Sequence, residues 1–267
     1  MSILIPVLLY HSVSERPPLD GSWGAVSPAL FASHVDAIVA SGREAIGITT
    51  LAAMLGAERA SKRQVAITFD DGYGDTHQAV ELLCSRGIGS TVYVTTGQVG
   101  APGWLSEQQL ANLAQLPGVE VGSHGVCHER LDELQQGELV RELRGSKFQL
   151  EQLIGKRVDS FAYPHGAYDR RVRAAVIAEG YRSAAAVKNA LSHSGDDPFA
   201  IARFTVTEAT SADRIVDVLD GRGVPLAWSR ERLRTRAYRA ARRHRRRLLK
   251  TGASHADVGP ASGRNGG

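Results

Sequence analysis

Residues 64–75 of this 267-residue chain read Gln-Val-Ala-Ile-Thr-Phe-Asp-Asp-Gly-Tyr-Gly-Asp. The first six, Gln64–Phe69, are mostly apolar or β-branched and predict a buried strand. Two adjacent carboxylates, Asp70 and Asp71, follow directly and precede a glycine. This order predicts that both acids lie at the carboxyl end of the strand, where enzymes built on parallel barrels carry their catalytic groups. A simple Asp-Asp-Gly turn between a strand and a helix would have the same local sequence.

Apolar, β-branched runs alternate with helical patterns on both sides of this segment. The predicted strands are 4–10, 64–69, 90–95, 119–123, 160–163, 183–187 and 203–207. The predicted helices are 28–41, 76–86, 106–116, 133–153, 169–179 and 212–219. Ser27 before Pro28 predicts a helix start, and Ser106 with Gln109 predicts a capping box. This alternation predicts an α/β fold with a largely parallel sheet, either a closed or nearly closed barrel or an open doubly wound sheet.

The composition, 43% apolar and 22% charged, is that of an ordinary soluble globular protein. Two cysteines, Cys84 and Cys127, argue against a disulfide framework. The apolar run 3–10 lacks a basic segment before it and is too short to cross a bilayer, so it predicts a strand rather than a signal peptide. No other segment approaches ~20 unbroken apolar residues. We therefore expect a cytoplasmic location.

Basic residues are concentrated near the carboxyl terminus. Residues 230–250 contain eleven Arg or Lys and one acid, and the tail adds Arg264 and Asp257, which leaves 20 basic and 26 acidic residues in 1–229. We expect a main domain at 1–228, an Arg-rich helical extension at 229–250 and a disordered tail at 251–267. The extension suits an anionic surface at the inner membrane face, an acidic polymer or a partner enzyme, and a solvated helix without a specific role is the alternative.

Residues 123–128 read Ser-His-Gly-Val-Cys-His and overlap the end of a predicted strand. His124 and His128 are four residues apart and can supply neutral imidazoles to a divalent metal. With a carboxylate from the end of another strand, they would complete a site that keeps positions open for water and substrate. Surface histidines without a ligand are the alternative. Cys127 is interpreted as a buried thiol, because a fourth protein ligand would close the site.

A third cluster, residues 161–168, reads Phe-Ala-Tyr-Pro-His-Gly-Ala-Tyr. A strand that runs into an aromatic-Pro-X-Gly sequence makes a sharp turn whose backbone N–H groups face the same rim. Such donors can hold a developing oxyanion. A plain strand-to-helix turn would read the same way.

In this order and spacing, Thr-Phe-Asp-Asp-Gly-Tyr, Ser-His-Gly-Val-Cys-His and Phe-Ala-Tyr-Pro-His-Gly resemble the first three motifs of the polysaccharide deacetylase family, the NodB-homology domain of carbohydrate esterase family four. Residues 8–13, Leu-Leu-Tyr-His-Ser-Val, resemble the N-terminal motif of its branch that acts on poly-N-acetylglucosamine. The resemblance covers about residues 4–228. It implies a distorted (β/α) barrel with seven or eight mostly parallel strands, so that 1–228 would be the catalytic domain.

The resemblance also implies a role for each matching position. Asp70 would be the general base, and Asp71, His124 and His128 would bind the metal. In this family the metal is usually zinc, although other divalent transition metals are used. The backbone amide near His165 would contribute to the oxyanion hole.

The chain departs from the family at several positions. Ala162 stands where many members have an arginine that orients the base, and Arg203, on a late predicted strand, is a candidate replacement. The general acid has two candidates. His11 ends the first predicted strand and should face the rim, like the corresponding histidine of the poly-N-acetylglucosamine branch. His193 matches the family's late Leu-x-His motif but lies in a polar loop, so the sequence favours His11.

The implied activity is that of a metal-dependent hydrolase that removes acetyl groups from N-acetylated sugars. The candidate substrate contacts are Tyr73, Trp104, Tyr163 and Pro164, of which Tyr73 and Trp104 offer faces for a sugar ring. An O-acetyl esterase or a non-sugar amidohydrolase would use the same site. Outside enzymes, the alternatives are a non-catalytic carbohydrate-binding protein, against which the complete set of acids and histidines argues, and a nucleic-acid-binding protein that uses the Arg-rich extension.

Overall fold

The computed structural model describes residues 3–16, 24–57, 59, 61–227 and 242. The chain divides into two compact units, Met1–Ser229 and Arg230–Gly267. Apart from Arg242, the predicted Arg-rich extension at 229–250 and the tail at 251–267 lie outside the described residues, and both stay predictions. In the described part of the chain, no helix is both long and apolar enough to cross a bilayer.

The described residues form short strands and seven α-helices. The strands are β1 (Leu4–Ile5), β2 (Val7–Tyr10), β3 (Ser12–Val13), β4 (Ala25–Val26), β5 (Glu44–Ala45), β6 (Gln64–Phe69), β7 (Ser90–Val94), β8 (Val119–Ser123), β9 (Ser160–Ala162), β10 (Ser183–Ala185), β11 (Ser192–His193) and β12 (Phe204–Thr205). The helices are α1 (Pro28–Ala40), α2 (Ile48–Gly56), α3 (Thr76–Ser85), α4 (Glu107–Leu113), α5 (Gln136–Ile154), α6 (Arg170–Ala178) and α7 (Ala212–Leu219).

Eight strands form one parallel sheet in the order β10-β9-β8-β7-β6-β2-β12, with β5 paired to β6. A parallel bridge between Ala185 of β10 and Ile201, three residues before β12, joins the two edges. The sheet therefore curls into a distorted, partly closed barrel, and the predicted fold class is confirmed. Because all these strands run the same way, their carboxyl ends share one rim.

Helix α2 packs at the amino-terminal end of this barrel and was not predicted. Its apolar residues Ile48, Leu51 and Leu55 pack against interior-facing residues of the sheet such as Ala66 and Tyr93. Its sequence, Ile-Thr-Thr-Leu-Ala-Ala-Met-Leu-Gly, is apolar on most sides and begins with β-branched residues, so it lacks the one-sided pattern of a surface helix. Burial of each of its large apolar side chains stabilises the barrel by about 1.5–3 kcal/mol.

Two local details refine the predicted boundaries. Predicted strand 4–10 is split into β1 and β2 at Pro6, which lacks an N–H group, although its carbonyl accepts from the Ala66 amide at 3.0 Å. The capping box at Ser106 is confirmed, whereas the Ser27 side chain makes no capping bond and its hydroxyl instead donates to Glu208.

Candidate metal centre and its neighbours

The polar groups of the three sequence motifs converge at the carboxyl rim of the sheet. Asp70 and Asp71 follow β6, and His124 follows β8. Oδ1 of Asp71 lies 3.4 Å from Nε2 of His124 and 3.3 Å from Nε2 of His128. Within the described residues, these three form the one group whose ligand atoms lie close enough together to hold a metal ion, all within 4.8 Å of one another.

The donor set fits a divalent cation. Four-coordinate zinc with bonds of about 2.0–2.1 Å holds its ligand atoms about 3.3 Å apart. The Asp71 oxygen lies at 3.4 and 3.3 Å from the two imidazole nitrogens. Oδ1 of Asp71 is buried and has no hydrogen-bond partner among the described residues. A buried carboxylate oxygen without a partner is costly, and a cation would offset that cost. One carboxylate and two imidazoles also leave coordination positions open.

The backbone at two of these ligands is strained. Asp71 has φ 75° and His128 has φ 56°, in the left-handed region that non-glycine residues rarely adopt. Such conformations cost about 1–3 kcal/mol and persist where surrounding contacts impose them. Here the Asp71 carbonyl accepts from the Thr95 amide at 3.0 Å, and the Gly72 amide donates to the Asp70 carbonyl at 3.0 Å. This backbone conformation directs the Asp71 carboxylate towards the imidazoles of His124 and His128.

A backbone carbonyl orients His124. Nδ1 of this buried ring lies 2.9 Å from the Ala162 carbonyl oxygen. Because a carbonyl can only accept, Nδ1 carries a proton, and Nε2 is the nitrogen that faces Asp71 and would bind the metal. Burial alone would raise the pKa of Asp71, but the imidazoles of His124 and His128 lower it well below its usual value. Asp71 is therefore ionised at neutral pH, as a metal ligand must be.

Asp70 is held by Arg203 from inside the barrel. The guanidinium Nη1 and Nη2 donate to the two carboxylate oxygens at 2.6 and 2.7 Å, and Nη1 also donates to Oγ1 of Thr68 at 3.1 Å. Arg203 is fully buried and Asp70 nearly so. Burial alone would raise the pKa of Asp70, but Arg203 lowers it, so the carboxylate is ionised. The structure thus brings Arg203 to the acid for which the sequence proposed it.

The two candidate acids lie at different ends of the sheet. His11 follows β2 at the carboxyl rim, near enough to Asp70 and Asp71 to contribute to the lowering of their pKa values. Its buried Nδ1 has no hydrogen-bond partner among the described residues. His193 pairs with Leu4 at the start of β1, seven residues before His11, a separation of about 20 Å in extended chain.

Both ring nitrogens of His193 also lie within hydrogen-bonding distance of backbone groups. Its Nε2 lies 3.3 Å from the Ala227 carbonyl oxygen, and its Nδ1 accepts from the Gly195 amide at 3.1 Å. The structure therefore brings His11, and not His193, to the metal centre.

The third motif forms a one-turn 3-10 helix, Pro164–Gly166. The amides of Gly166 and Ala167 donate to the carbonyls of Tyr163 and Pro164, whereas the His165 amide makes no backbone bond within the described part of the chain. The His165 ring contacts His128 edge-on, with centroids 4.4 Å apart. Burial, together with His128, lowers the pKa of His165 to about 4, so the ring is neutral at pH 7.

Of the four predicted substrate contacts, the structure exposes Trp104. Tyr73 is 4% exposed and stacks beneath Trp104, with ring centroids 4.6 Å apart, so the half-buried Trp104 covers it. Tyr163 is fully buried, and its hydroxyl donates to the Phe199 carbonyl at 2.8 Å. Its ring belongs to the core because alternate residues of a strand face opposite sides, and here Ala162 faces the barrel interior. Pro164 is also buried.

Two neighbours of the histidines differ from expectation. Cys127 is exposed rather than buried. Burial and then the nearby Glu142 carboxylate raise the pKa of its thiol, which disfavours the thiolate that would bind a metal. Glu142 was not identified from the sequence, yet its Oε2 accepts from the amides of Val126 and Cys127. Its position within a long helix carries no local signal of this contact.

The chain resembles known proteins over most of its length. The profile of the polysaccharide deacetylase family matches residues 57–184. Bacillus subtilis YxkH, a protein named for that family, is 26% identical over 209 residues, which are 78% of this chain and 73% of the relative.

Solved structures share the fold. The Streptococcus pyogenes deacetylase PplD matches with a TM-score of 0.75 and 21% identity, over 82% of this chain and 99% of that chain. The de-N-acetylase from Aggregatibacter actinomycetemcomitans matches with a TM-score of 0.68 and 17% identity, over 80% and 99%. The family profile and the Bacillus relative, on a fold of this type, identify residues 57–184 as a polysaccharide deacetylase (NodB/CE4) domain.

Proposed function

We propose that this chain is a metal-dependent hydrolase that removes acetyl groups from N-acetylated sugars, with zinc as the metal. The observation that carries the proposal is the convergence of Asp71, His124 and His128 beside an Asp70 carboxylate that Arg203 clamps. These three ligands would hold the ion. When bound, a divalent ion supplies Lewis acidity to the acetyl carbonyl and to the attacking water.

Asp70 takes the proton from the attacking water. It is ionised at neutral pH, and each of its oxygens keeps a lone pair besides the one that Arg203 engages. Oδ2 lies 3.9 Å from Nε2 of His124, so the carboxylate borders the ligand position. The two bonds from Arg203 fix the carboxylate plane, and a fixed base loses little entropy as the proton moves.

His11 and the His165 amide act on the other two sites of charge. His11 lies at the same rim and donates a proton to the departing amine, which is a poor leaving group without one. The N–H of His165, in the turn beside His128, stabilises the oxygen on which negative charge develops. The Trp104 face, stacked on Tyr73, provides an apolar platform for a pyranose ring.

A relative of the same fold supports cleavage of an amide bond rather than an ester bond. The relative from Aggregatibacter actinomycetemcomitans is a de-N-acetylase. A proton donor such as His11 at the leaving-group side also suits an amine, which needs a proton more than an alcohol does.

The test replaces the base without removing its shape. We expect Asp70→Asn to bind zinc like the wild-type protein and to release acetate from an acetylated chito-oligosaccharide about 100- to 10,000-fold more slowly. The matched control is Asp36→Asn, which changes an exposed carboxylate on α1 that pairs with Arg86, and it should keep the rate. Wild-type turnover by zinc-loaded Asp70→Asn would remove Asp70 from the role of base.

A panel of substrates tests the bond and the sugar. Zinc-loaded protein is assayed for acetate release from N-acetylated sugars, O-acetylated sugars and acetylated amides that are not sugars. The proposal predicts fastest release from the N-acetylated sugars. Preference for the O-acetyl esters would identify an esterase, preference for the third group would identify a non-sugar amidohydrolase, and zinc binding without any hydrolysis would identify a non-catalytic protein.

A further inference from the structure

The two histidine ligands are joined by a three-residue loop, residues 125–127, called here the ligand loop. It begins with Gly125 at φ 82° and is followed by His128 at φ 56°. Neither conformation is one that an unconstrained chain prefers for an ordinary residue. Because His128 is half-exposed while His124 is buried, the position of the second imidazole depends on what holds this loop.

Glu142, on helix α5, holds the loop from one side. Its Oε2 accepts hydrogen bonds from the amides of Val126 at 2.8 Å and Cys127 at 3.0 Å. The residue is 8% exposed, so these charge-assisted bonds form largely away from water, where they are strongest. A Cβ atom at Gly125 would lie 2.9 Å from Oε2, so glycine is the residue that leaves room for the carboxylate.

The rest of that face of α5 is shaped to the same loop. Glu142, Gly145 and Ser146 are spaced i, i+3 and i+4 and therefore lie on one side of the helix. A Cβ at Gly145 would lie 3.3 Å from Cγ2 of Val126. Oγ of Ser146 lies 2.7 Å from Oγ of Ser123, the residue that precedes His124. One turn of helix thus contacts both ends of the histidine segment.

The opposite side of the loop is also fixed. The amides of Thr96 and Gly97 donate to the carbonyls of Gly125 at 3.0 Å and Val126 at 2.9 Å. On one side of the loop, the amides of Val126 and Cys127 donate to Glu142. On the other side, the carbonyls of Gly125 and Val126 accept from Thr96 and Gly97. Among these contacts Glu142 is the charged group, and one of its oxygens, Oε2, accepts from both amides.

We infer that Glu142 is a positioning residue of the metal centre. Its carboxylate fixes residues 125–127 so that the imidazoles of His124 and His128 face one ion before that ion binds. The inference rests on the proposed function, because it requires that these histidines bind a metal. Groups that orient metal ligands commonly contribute 10- to 100-fold, roughly, to metal affinity.

The experiment compares side chains of equal length that differ in their acceptor. Glu142→Met removes the acceptor, and Glu142→Gln keeps an oxygen in the same place. Zinc affinity of the full-length, metal-free proteins is measured by competition with a chromogenic chelator, and thermal unfolding confirms that each is folded at the assay temperature. We expect Glu142→Met to weaken zinc binding about 10- to 100-fold, and Glu142→Gln to restore most of the loss.

The matched control lies on the same helix. Glu151 accepts from the Val158 amide at 3.0 Å, away from the metal centre, so Glu151→Met should lower thermal stability and leave zinc affinity unchanged. Folded Glu142→Met that binds zinc as tightly as Glu151→Met would overturn the inference. Failure of the wild-type protein itself to bind zinc would instead overturn the proposed function, so the two failures are distinguishable.

Discussion

The two ends of the barrel each hold a carboxylate on the inner side of the sheet, and the two are treated differently. At the amino-terminal end, Glu120 of β8 accepts from the amide and hydroxyl of Thr49 and, at 3.1 Å, from the hydroxyl of Thr91. At the carboxyl rim, Oδ1 of Asp71 has no hydrogen-bond partner among the described residues and faces two imidazole nitrogens. The hydrogen bonds that Glu120 accepts indicate a structural role for its carboxylate. The Asp71 oxygen without a hydrogen-bond partner indicates a metal ligand.

The titration of the two groups follows the same division. Burial raises the pKa of Glu120, and bonds from Thr49 and Thr91 offset this only in part. For Asp71 the neighbouring imidazoles outweigh burial and lower the pKa. Glu120 is therefore easier to protonate than an ordinary glutamate, whereas Asp71 keeps the negative charge that a cation requires.

A cavity lies beside the structural carboxylate as well. A cavity of about 380 Å³ lies at the amino-terminal end, beside Glu120. Its charged groups already have partners: Arg157 pairs with Asp159 at 2.8 Å, and Lys156 donates to the Ala114 carbonyl. The partnerless oxygen of Asp71, and not a cavity, is therefore what distinguishes the end that carries the candidate metal centre.

The largest effect is expected when the Asp71 carboxylate at the rim is replaced by a carboxamide. Asp71→Asn removes the charged ligand and should abolish zinc binding under conditions that load the wild-type protein. Acetate release should fall about 1,000-fold or more, because the ion supplies several kcal/mol of stabilisation and each 1.36 kcal/mol is tenfold in rate. Metal analysis after gel filtration and initial-rate assays measure both. Full zinc occupancy in this variant would break the contrast between the two ends.

A smaller effect is expected at the candidate acids, which also lie at opposite ends of the sheet. His11→Gln should slow amide hydrolysis about 100-fold or more, the usual contribution of general acid–base catalysis. His193→Gln should keep the rate within about twofold, as expected for a group far from the site. Initial rates of the two variants at equal zinc content decide between them. A loss of rate confined to His193→Gln would reverse the assignment.

The smallest effect is expected from the same carboxamide change at the amino-terminal end. Glu120→Gln should leave zinc affinity and kcat unchanged, because the hydrogen bonds of Glu120 with Thr49 and Thr91 lie at the amino-terminal end of the barrel. It should cost about 1–3 kcal/mol in free energy of unfolding at pH values where Glu120 is ionised, since a hydrogen-bond donor of the new amide faces donors. Urea unfolding measures that cost, and a large loss of kcat would show that both ends serve the reaction.

The pH dependence of this variant sharpens the same point. A carboxyl whose pKa is raised on folding contributes stability below its unfolded pKa and loses that contribution as the pH rises through its folded pKa. The pKa of Glu120 is raised, chiefly by burial. The wild-type protein should therefore gain stability relative to Glu120→Gln as the pH falls from neutral towards the unfolded pKa of about 4.3. A difference in unfolding free energy that is constant over this range would contradict the raised pKa.

Local patterns predicted much of the fold and the centre of the site. Alternating apolar runs and caps predicted seven of the eight strands of the parallel sheet, all except β5, and six of the seven described helices, with boundaries shifted by a few residues. Placing Asp70, Asp71, His124 and His128 at the ends of such strands predicted their convergence, because parallel strands end at one rim. These features depend on periodicity and chain direction, which a sequence displays directly.

Tertiary structure alone decided which distant groups meet. The pairing of Arg203 with Asp70 was proposed from a missing arginine, but only the register of β12 beside β2 brings the guanidinium within 2.7 Å of the acid. The contacts of Glu142 with the ligand loop and the burial of Tyr163 had no local signal, and the polar loop around His193 favoured His11 without locating either ring. Each depends on packing between segments remote in sequence, where contact is set by register and side-chain direction rather than by residue type.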